Sequence, residues 1–237
     1  MHDLLPGRAG SMGATARNNR LFVEAVLYRY RAGIPWRDLL HRFGHYRKIH
    51  THLRRWCKRG GWQQVFPKLA SDPDKEYAMI DSTIVRAHQH SAGGRNADAE
   101  AIGSSKDGLS TKIHALVDAL GNPLRLHLTP AQASDLSEAD VLLTDLEVDA
   151  LLADKGYDAD ERVIKRLQND GIKAMITSKR NRREPREYDR ELYKARHLIG
   201  IFFARLKQYR AIATRYDKLA ESFSGSIYLA ATVIWLN

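Results

Sequence analysis

The chain has 237 residues, 43% of them hydrophobic and 28% charged, enough apolar residues to bury a core and too many for a disordered polymer. A single cysteine, Cys57, excludes a disulfide framework and a cysteine-based zinc cluster; no apolar run reaches the roughly 18 residues of a membrane helix, and no basic-then-apolar signal segment opens the chain, so a cytoplasmic protein is expected. Net charge is uneven, +10 over residues 1–75, −9 over 76–160 and +9 over 161–237, so the two basic ends suit a polyanion such as DNA.

Residues 1–17 are Gly-rich and small, which predicts a flexible N-terminus. From Asn18 the spacing of Leu21, Phe22, Ala25, Val26 and Leu27 predicts a helix ending at Gly33. Pro35 is placed at the first turn of a second helix, Trp36 to Phe43. After Gly44 a third runs from about Arg47 to Arg59, stopped by Gly60-Gly61. It carries Arg47, Lys48, Arg54, Arg55, Lys58 and Arg59. Three short helices with a basic third fit a helix-turn-helix DNA-binding domain over 18–66, as they fit any small bundle with a solvated basic face. Trp36, Trp56 and Trp62 are read as its small core rather than as base-stacking residues. Residues 67–75, with Asp72-Pro73-Asp74, read as a linker.

Over 76–237 the period changes. Tyr77 to Ala87, Leu109 to Asp118 and Leu124 to Thr129 predict three strands of an antiparallel meander, with turns at Gly93-Gly94 and Gly121-Asn122-Pro123. A helix follows from near Ser134 to about Leu143, with Asp135 and Glu138 in its first turns. Next come a strand Ala150 to Ala153, a helix Ala159 to Asn169 and a strand Ala174 to Thr177. Lys179 to Arg190 reads as a basic exposed loop suited to phosphate. A long helix runs from Glu191 past Leu206, and an apolar helix closes the chain. Three strands followed by alternating helices and strands make a mixed sheet flanked by helices. His88, His90, His114 and His127 are read as ordinary hydrogen-bonding residues.

Two aspartates stand where apolar strands meet polar residues. Asp81 lies within Met79-Ile80-Asp81-Ser82-Thr83, and Asp154 follows Leu151-Leu152-Ala153. A carboxylate in a buried strand is costly unless it is paired or binds a metal, and the ends of strands are where open α/β sheets place ligands. Hard divalent cations take oxygen ligands and reconcile an acidic patch with a phosphate substrate. Either residue taken alone fits equally a turn or a helix cap.

The strand around Asp81, the segment ALLADKGYDAD around Asp154 and the helix YKARHLIGIFFARLKQYRAIATRYDK resemble the catalytic segments of DDE transposases of bacterial insertion sequences, in the group that includes insertion sequence five. IPWRDLLHRFGHYRKIHTHLRRWCKRGGW, GLSTKIHALVDALGNPLRLHLTPAQASD and the closing LAATVIWLN resemble that group too. The resemblance implies a ribonuclease H-like catalytic domain and a small all-α DNA-binding domain ahead of it. It also implies additional residues before the LLPGR-like stretch. The implied reaction is hydrolysis of phosphodiesters at transposon ends and strand transfer to a target. Two magnesium (or manganese) ions would serve it, on double-stranded DNA held by a homodimer or higher oligomer at the nucleoid. Asp81 would be the first acidic metal ligand and Asp154 the second.

The third acid of this family belongs to a helical signature of Tyr, Arg, Glu and a base. Tyr193, Arg196 and Lys207 match it, but Gly200 stands where the Glu is expected and Ile201 where Asn is usual. On a continuous helix positions 193, 196, 200 and 207 fall within a sector of about 60°, so Tyr193, Arg196 and Lys207 would face DNA together. Glycine ligates nothing. Glu191 falls on the opposite face, Glu187 and Asp189 precede the helix, and Asp158 lies one turn past Asp154; none takes the expected position. Two readings follow: a transposase impaired by Gly200, or a DNA-end-binding derivative without catalysis.

Overall fold

The computed structural model describes residues 18–70, 72–91, 100–106 and 108–236. The N-terminal segment 1–17 and the expected turn at Gly93-Gly94 lie outside them. Helix α1, Asn19–Ala32, opens where Asn18 accepts the Leu21 N–H on its side chain and ends at Gly33. The expected second helix does not form. Its segment makes two 3-10 turns, Trp36–Asp38 and His41–Phe43, separated by extended Leu39 and Leu40. Eight residues offer too few i→i−4 bonds to hold a helix unaided, and the break points Leu39 and Phe43 into the core while Leu40 stays exposed.

Helix α2, Tyr46–Lys58, is amphipathic, burying Ile49, Leu53, Trp56 and Cys57. Gly60-Gly61 turns the chain rather than ending the helical region. Gly60 takes a left-handed conformation (φ +63°) that a side chain disfavours, and helix α3, Gly61–Leu69, starts at once. This helix, unforeseen because its Gly and Pro67 argue against it, occupies the first residues of the expected linker. Its Trp62, Val65 and Phe66 are buried at i, i+3 and i+4.

The sheet is centred on β1, Tyr77–Ala87, and comprises β2 (Gly103–Ser105), β3 (Gly108–Val117), β4 (Pro123–Pro130), β5 (Ala150–Ala153), β6 (Lys173–Ile176) and β7 (Thr214–Arg215). On one side β1 pairs antiparallel with β3, which pairs with β4 and, further along, β2. On the other side β1 pairs in parallel with β5 and, at its far end, β7; β6 extends the sheet beyond β5. The strands β2 and β7, of three and two residues, are too short to carry a period.

Between β4 and β5 lie a 3-10 turn, Asp135–Glu138, and helix α4, Ala139–Leu142. A π-helical turn, Asp160–Ile164, leads into α5, Lys165–Asn169. The long helix expected from Glu191 is divided into α6, Arg190–Lys194, and α7, His197–Lys207. Between them the N–H groups of Ala195, Arg196 and Leu198 bond carbonyls three residues back, tightening the turn. Helices α8, Arg210–Ala213, and α9, Ala220–Trp235, complete the chain. This is the ribonuclease H-like mixed sheet flanked by helices.

Alternation along β1 divides the core. Ala78 and Ile80 face α4 and α5 with Leu116, Leu151 and Leu167. Met79 and Val85 face α7 and α9, and that cluster continues without a break into Trp56, Trp62 and Phe66 of the N-terminal helices. Helix α9 sits between, and it approaches α2 closely at Gly225, where an added Cβ would lie 2.4 Å from Cys57 Sγ and 3.3 Å from Trp62 Cδ1. In an ordinary helix Gly→Ala stabilises by about 1 kcal/mol. Here Gly225→Ala is expected to destabilise by about 1–3 kcal/mol through overpacking, read as a lower melting temperature, and to lower the whole chain's transition because the two parts share one core.

Candidate active site

The β1–β5 register pairs Met79 with Leu152. Two residues further on, Asp81 within β1 and Asp154 just past the end of β5 stand level with each other on neighbouring parallel strands. Asp81 shares the Met79 face of β1, directed at α7; its side chain is 27% exposed. One carboxylate oxygen accepts the Ser82 N–H (2.8 Å) and the other Arg196 Nη2 (2.6 Å). Burial pushes the Asp81 carboxyl above its ordinary range. The Arg196 charge and the Ser82 N–H oppose the rise, and Asp154 and Asp135 add to it. Asp154 Oδ1 accepts the Gly156 N–H (2.7 Å) and caps the 3-10 turn Lys155–Tyr157. Asp154 is thus a turn cap, near enough to Asp81 for its charge to act on that carboxyl.

Two further groups join them. Asp135, which the sequence marks only as a first-turn acid, accepts Ser82 Oγ (2.5 Å) and lies 3.2 Å from Lys112 Nζ. Tyr157 is wholly buried, and its hydroxyl has no hydrogen-bond partner. Burial, then the charges of Asp135, Asp81 and Asp154, raise its pKa. Behind Asp135, buried His114 meets Thr129 Oγ1 at 2.8 Å, and burial lowers its pKa to about 4. No sequence signal identifies Asp135 or Tyr157, because the turns that carry them are brought to β1 only by folding.

Although the helix is divided, Arg196 and Lys207 reach the same strand. Lys207 Nζ donates to Thr83 Oγ1 (2.7 Å), two residues from Asp81 on the same face. Tyr193 lies on α6 with its ring 5.2 Å from that of Tyr188. Gly200 is exposed on α7, and an added Cβ there would meet no atom within 4 Å. Three of the other acids have partners of their own. Glu191 pairs with Lys194, and Asp189 caps α6. Asp158, its side chain 1% exposed, accepts from the Lys179 N–H and pairs with Arg182 and Arg186. Those two arginines also hold Asp160, so two of the six basic residues of the loop expected to face phosphate are engaged within the protein.

Arg47, Lys48, Arg54, Arg55 and Lys58 are exposed along α2, and Arg59 is exposed just past its end. His88 and His90 flank the start of a 3-10 turn beyond β1, rather than sharing a strand face. Among the described residues no group of three or more His, Cys, Asp and Glu side chains is arranged to hold a metal ion, and no helix is long and apolar enough to cross a membrane.

Comparison with known proteins bears on this site. A family described as "Putative transposase of IS4/5 family" matches residues 1–66, and one described as "Transposase DDE domain" matches residues 72–236. The curated "Putative transposase for insertion sequence element IS6501" of Brucella ovis is 41% identical over 130 residues, 54% of this chain and 100% of that protein. The "Uncharacterized protein y4sN" of Sinorhizobium fredii is 45% identical over 97 residues, 41% of this chain and 78% of that protein. A sheet with aspartates at the β1 and β5 edge, matched over most of its length by the transposase domain, leads to one conclusion: the chain belongs to the DDE transposase family.

Proposed function

We propose that this insertion-sequence transposase binds transposon ends through the basic face of α2 and holds a divalent cation on Asp81 and Asp154, with strand cleavage impaired by Gly200. The observation that carries the reading is the docking of α7 on β1. Arg196 and Lys207 bind Asp81 and Thr83, while position 200 between them on that helix presents open space and no carboxylate.

The donor set suits a hard cation. The charges of Asp154 and Asp135 help raise the pKa of Asp81, and those of all three aspartates help raise that of Tyr157, whose hydroxyl has no partner. Asp81 and Asp135 each already have a cationic partner, Arg196 and Lys112; Asp81 and Asp154 are taken as the ligands because they stand level on the adjoining strands β1 and β5. Magnesium or manganese, when bound, would activate water and stabilise charge on the phosphodiester. Arg196 holds the Asp81 carboxylate in place and supplies positive charge beside the scissile phosphate. Lys207, tethered to Thr83, and Tyr193 line the approach for the DNA backbone. With Gly200 contributing nothing, a second cation lacks a ligand, and the pair the family employs is incomplete. Residues 18–66 serve as the end-binding domain and 76–237 as the catalytic domain, acting as a homodimer or higher oligomer at the nucleoid. The exposed basic α2 together with Gly200 favours, as a second reading, a copy that occupies transposon ends without cutting them.

Two measurements check this. Strand cleavage of a transposon end with magnesium or manganese should be weak for the natural chain and rise by orders of magnitude for Gly200→Glu, which the open space accommodates; equal activity in both would overturn the role of position 200. The second concerns charge at Asp81. Because burial raises its pKa, the stability from its protonated form is complete below the unfolded carboxyl's pKa and is lost as pH rises through the folded value. Asp81→Asn is therefore expected to melt higher than the parent at pH 7 with chelator present, the difference shrinking as pH falls through the carboxylate range. A lower melting temperature at pH 7 would mean that the Arg196 pair outweighs desolvation.

A further inference from the structure

A pocket of about 390 Å³ lies between the N-terminal helices and the segment ahead of α9, with Arg29, Trp36, His50, Arg54, Asp217 and Lys218 among its walls. Arg29 is the unusual member. Its side chain is 6% exposed, and its Nε and Nη1 have no hydrogen-bond partner. Asp217, 4.0 Å from Nη1, is beyond hydrogen-bond reach and instead accepts the Tyr30 hydroxyl at 2.9 Å. The guanidinium is held in place all the same. It lies 4.7 Å from the ring centre of Tyr30 and 5.0 Å from that of Trp36, a cation–π arrangement that fixes its plane without satisfying its donors.

A buried arginine with unfilled donors is rare, because a desolvated donor without an acceptor is costly. Asp217 is the acid beside Arg29, at 4.0 Å, while Arg54 and Lys218 are exposed at the pocket's rim. The pocket wall is stiff on the other side: Arg215, wholly buried, donates to the Asp217 and Lys218 carbonyls, the Ala101 carbonyl and Thr111 Oγ1. His50 feels charges of both signs. Burial lowers its pKa, Asp217 opposes, and Arg54 and Arg29 lower it further.

We propose that this pocket is an anion site that takes a backbone phosphate of the DNA, with the phosphate oxygens accepting from Arg29 and the rim charges of Arg54 and Lys218 drawing the strand in. An arginine fork matches phosphate geometry in a way that a lysine does not, and the volume leaves room for the attached sugar against Trp36. That the phosphate belongs to DNA rests on the DNA-binding reading above; the anion site itself does not.

The test has two arms, both on the full chain. In the first, melting temperature is measured with millimolar inorganic phosphate against chloride at equal ionic strength. Phosphate should stabilise the natural chain and Arg20→Gln, a control on the outer face of α1 with its side chain 88% exposed. The stabilisation should be lost in Arg29→Lys and in Lys218→Gln, whose exposed side chain can be removed without touching the core. Equal stabilisation of all four proteins overturns the site, whether or not the chain binds DNA. In the second arm, duplex affinity is followed against salt. Lys218→Gln and Arg29→Lys should each lower the slope of log affinity on log salt by about 1, and Arg20→Gln should not. Phosphate binding lost in the first arm with slopes unchanged in the second overturns the assignment to DNA and makes the ligand a free phosphate compound.

Discussion

The structure depends on how β1 is shared. It is antiparallel to β3 on one edge and parallel to β5 on the other, and only the parallel pairing brings the residue after β5 level with the middle of β1. One residue of slip would turn Asp81 to the opposite face, towards α4 and α5 and away from α7. The register is protected by burial on both faces, since Ala78, Met79 and Ile80 are all wholly enclosed.

Placing carboxylates at that edge creates an electrostatic problem, and the surrounding side chains answer it locally. Arg196 neutralises Asp81, Lys112 neutralises Asp135, and the Gly156 N–H satisfies one oxygen of Asp154. The same logic appears at Asp158, where a buried acid gathers two arginines from the following loop. In both places a positive charge that the sequence offers to DNA is engaged within the protein. Net charge per segment therefore overstates the surface available to phosphate, and the exposed side chains of α2 are the better measure of it.

The N-terminal helices are not an appendage in packing terms. Trp56, Trp62 and Phe66 enter the cluster that also contains Met79 and Ile113, and α9 joins the two parts. The exposed basic face of α2 is thus held against the part of the molecule that carries Asp81. Gly225 is the point of closest approach that allows this.

The sequence by itself determined the regular parts. The alternation of β3 and β4 and the β-forming or apolar runs of β1 and β5 are local properties of the chain, so those strands fall within a residue or two of their expected places, as do α1 and α2. It also marked Asp81 and Asp154, since a carboxylate in or beside an apolar strand stands out against its neighbours. Only the tertiary structure decided what depends on contacts between distant segments. The segment Trp36 to Phe43 has a helical period but folds as two 3-10 turns because packing of Leu39 and Phe43 outweighs a few helical bonds. Helix α3 forms despite its glycine and proline because α9 receives its apolar face. Asp135, Tyr157 and the Arg29 pocket carry no local signature. Their character comes from what folding sets beside them, and burial with charge is a property of neighbours in space rather than in sequence.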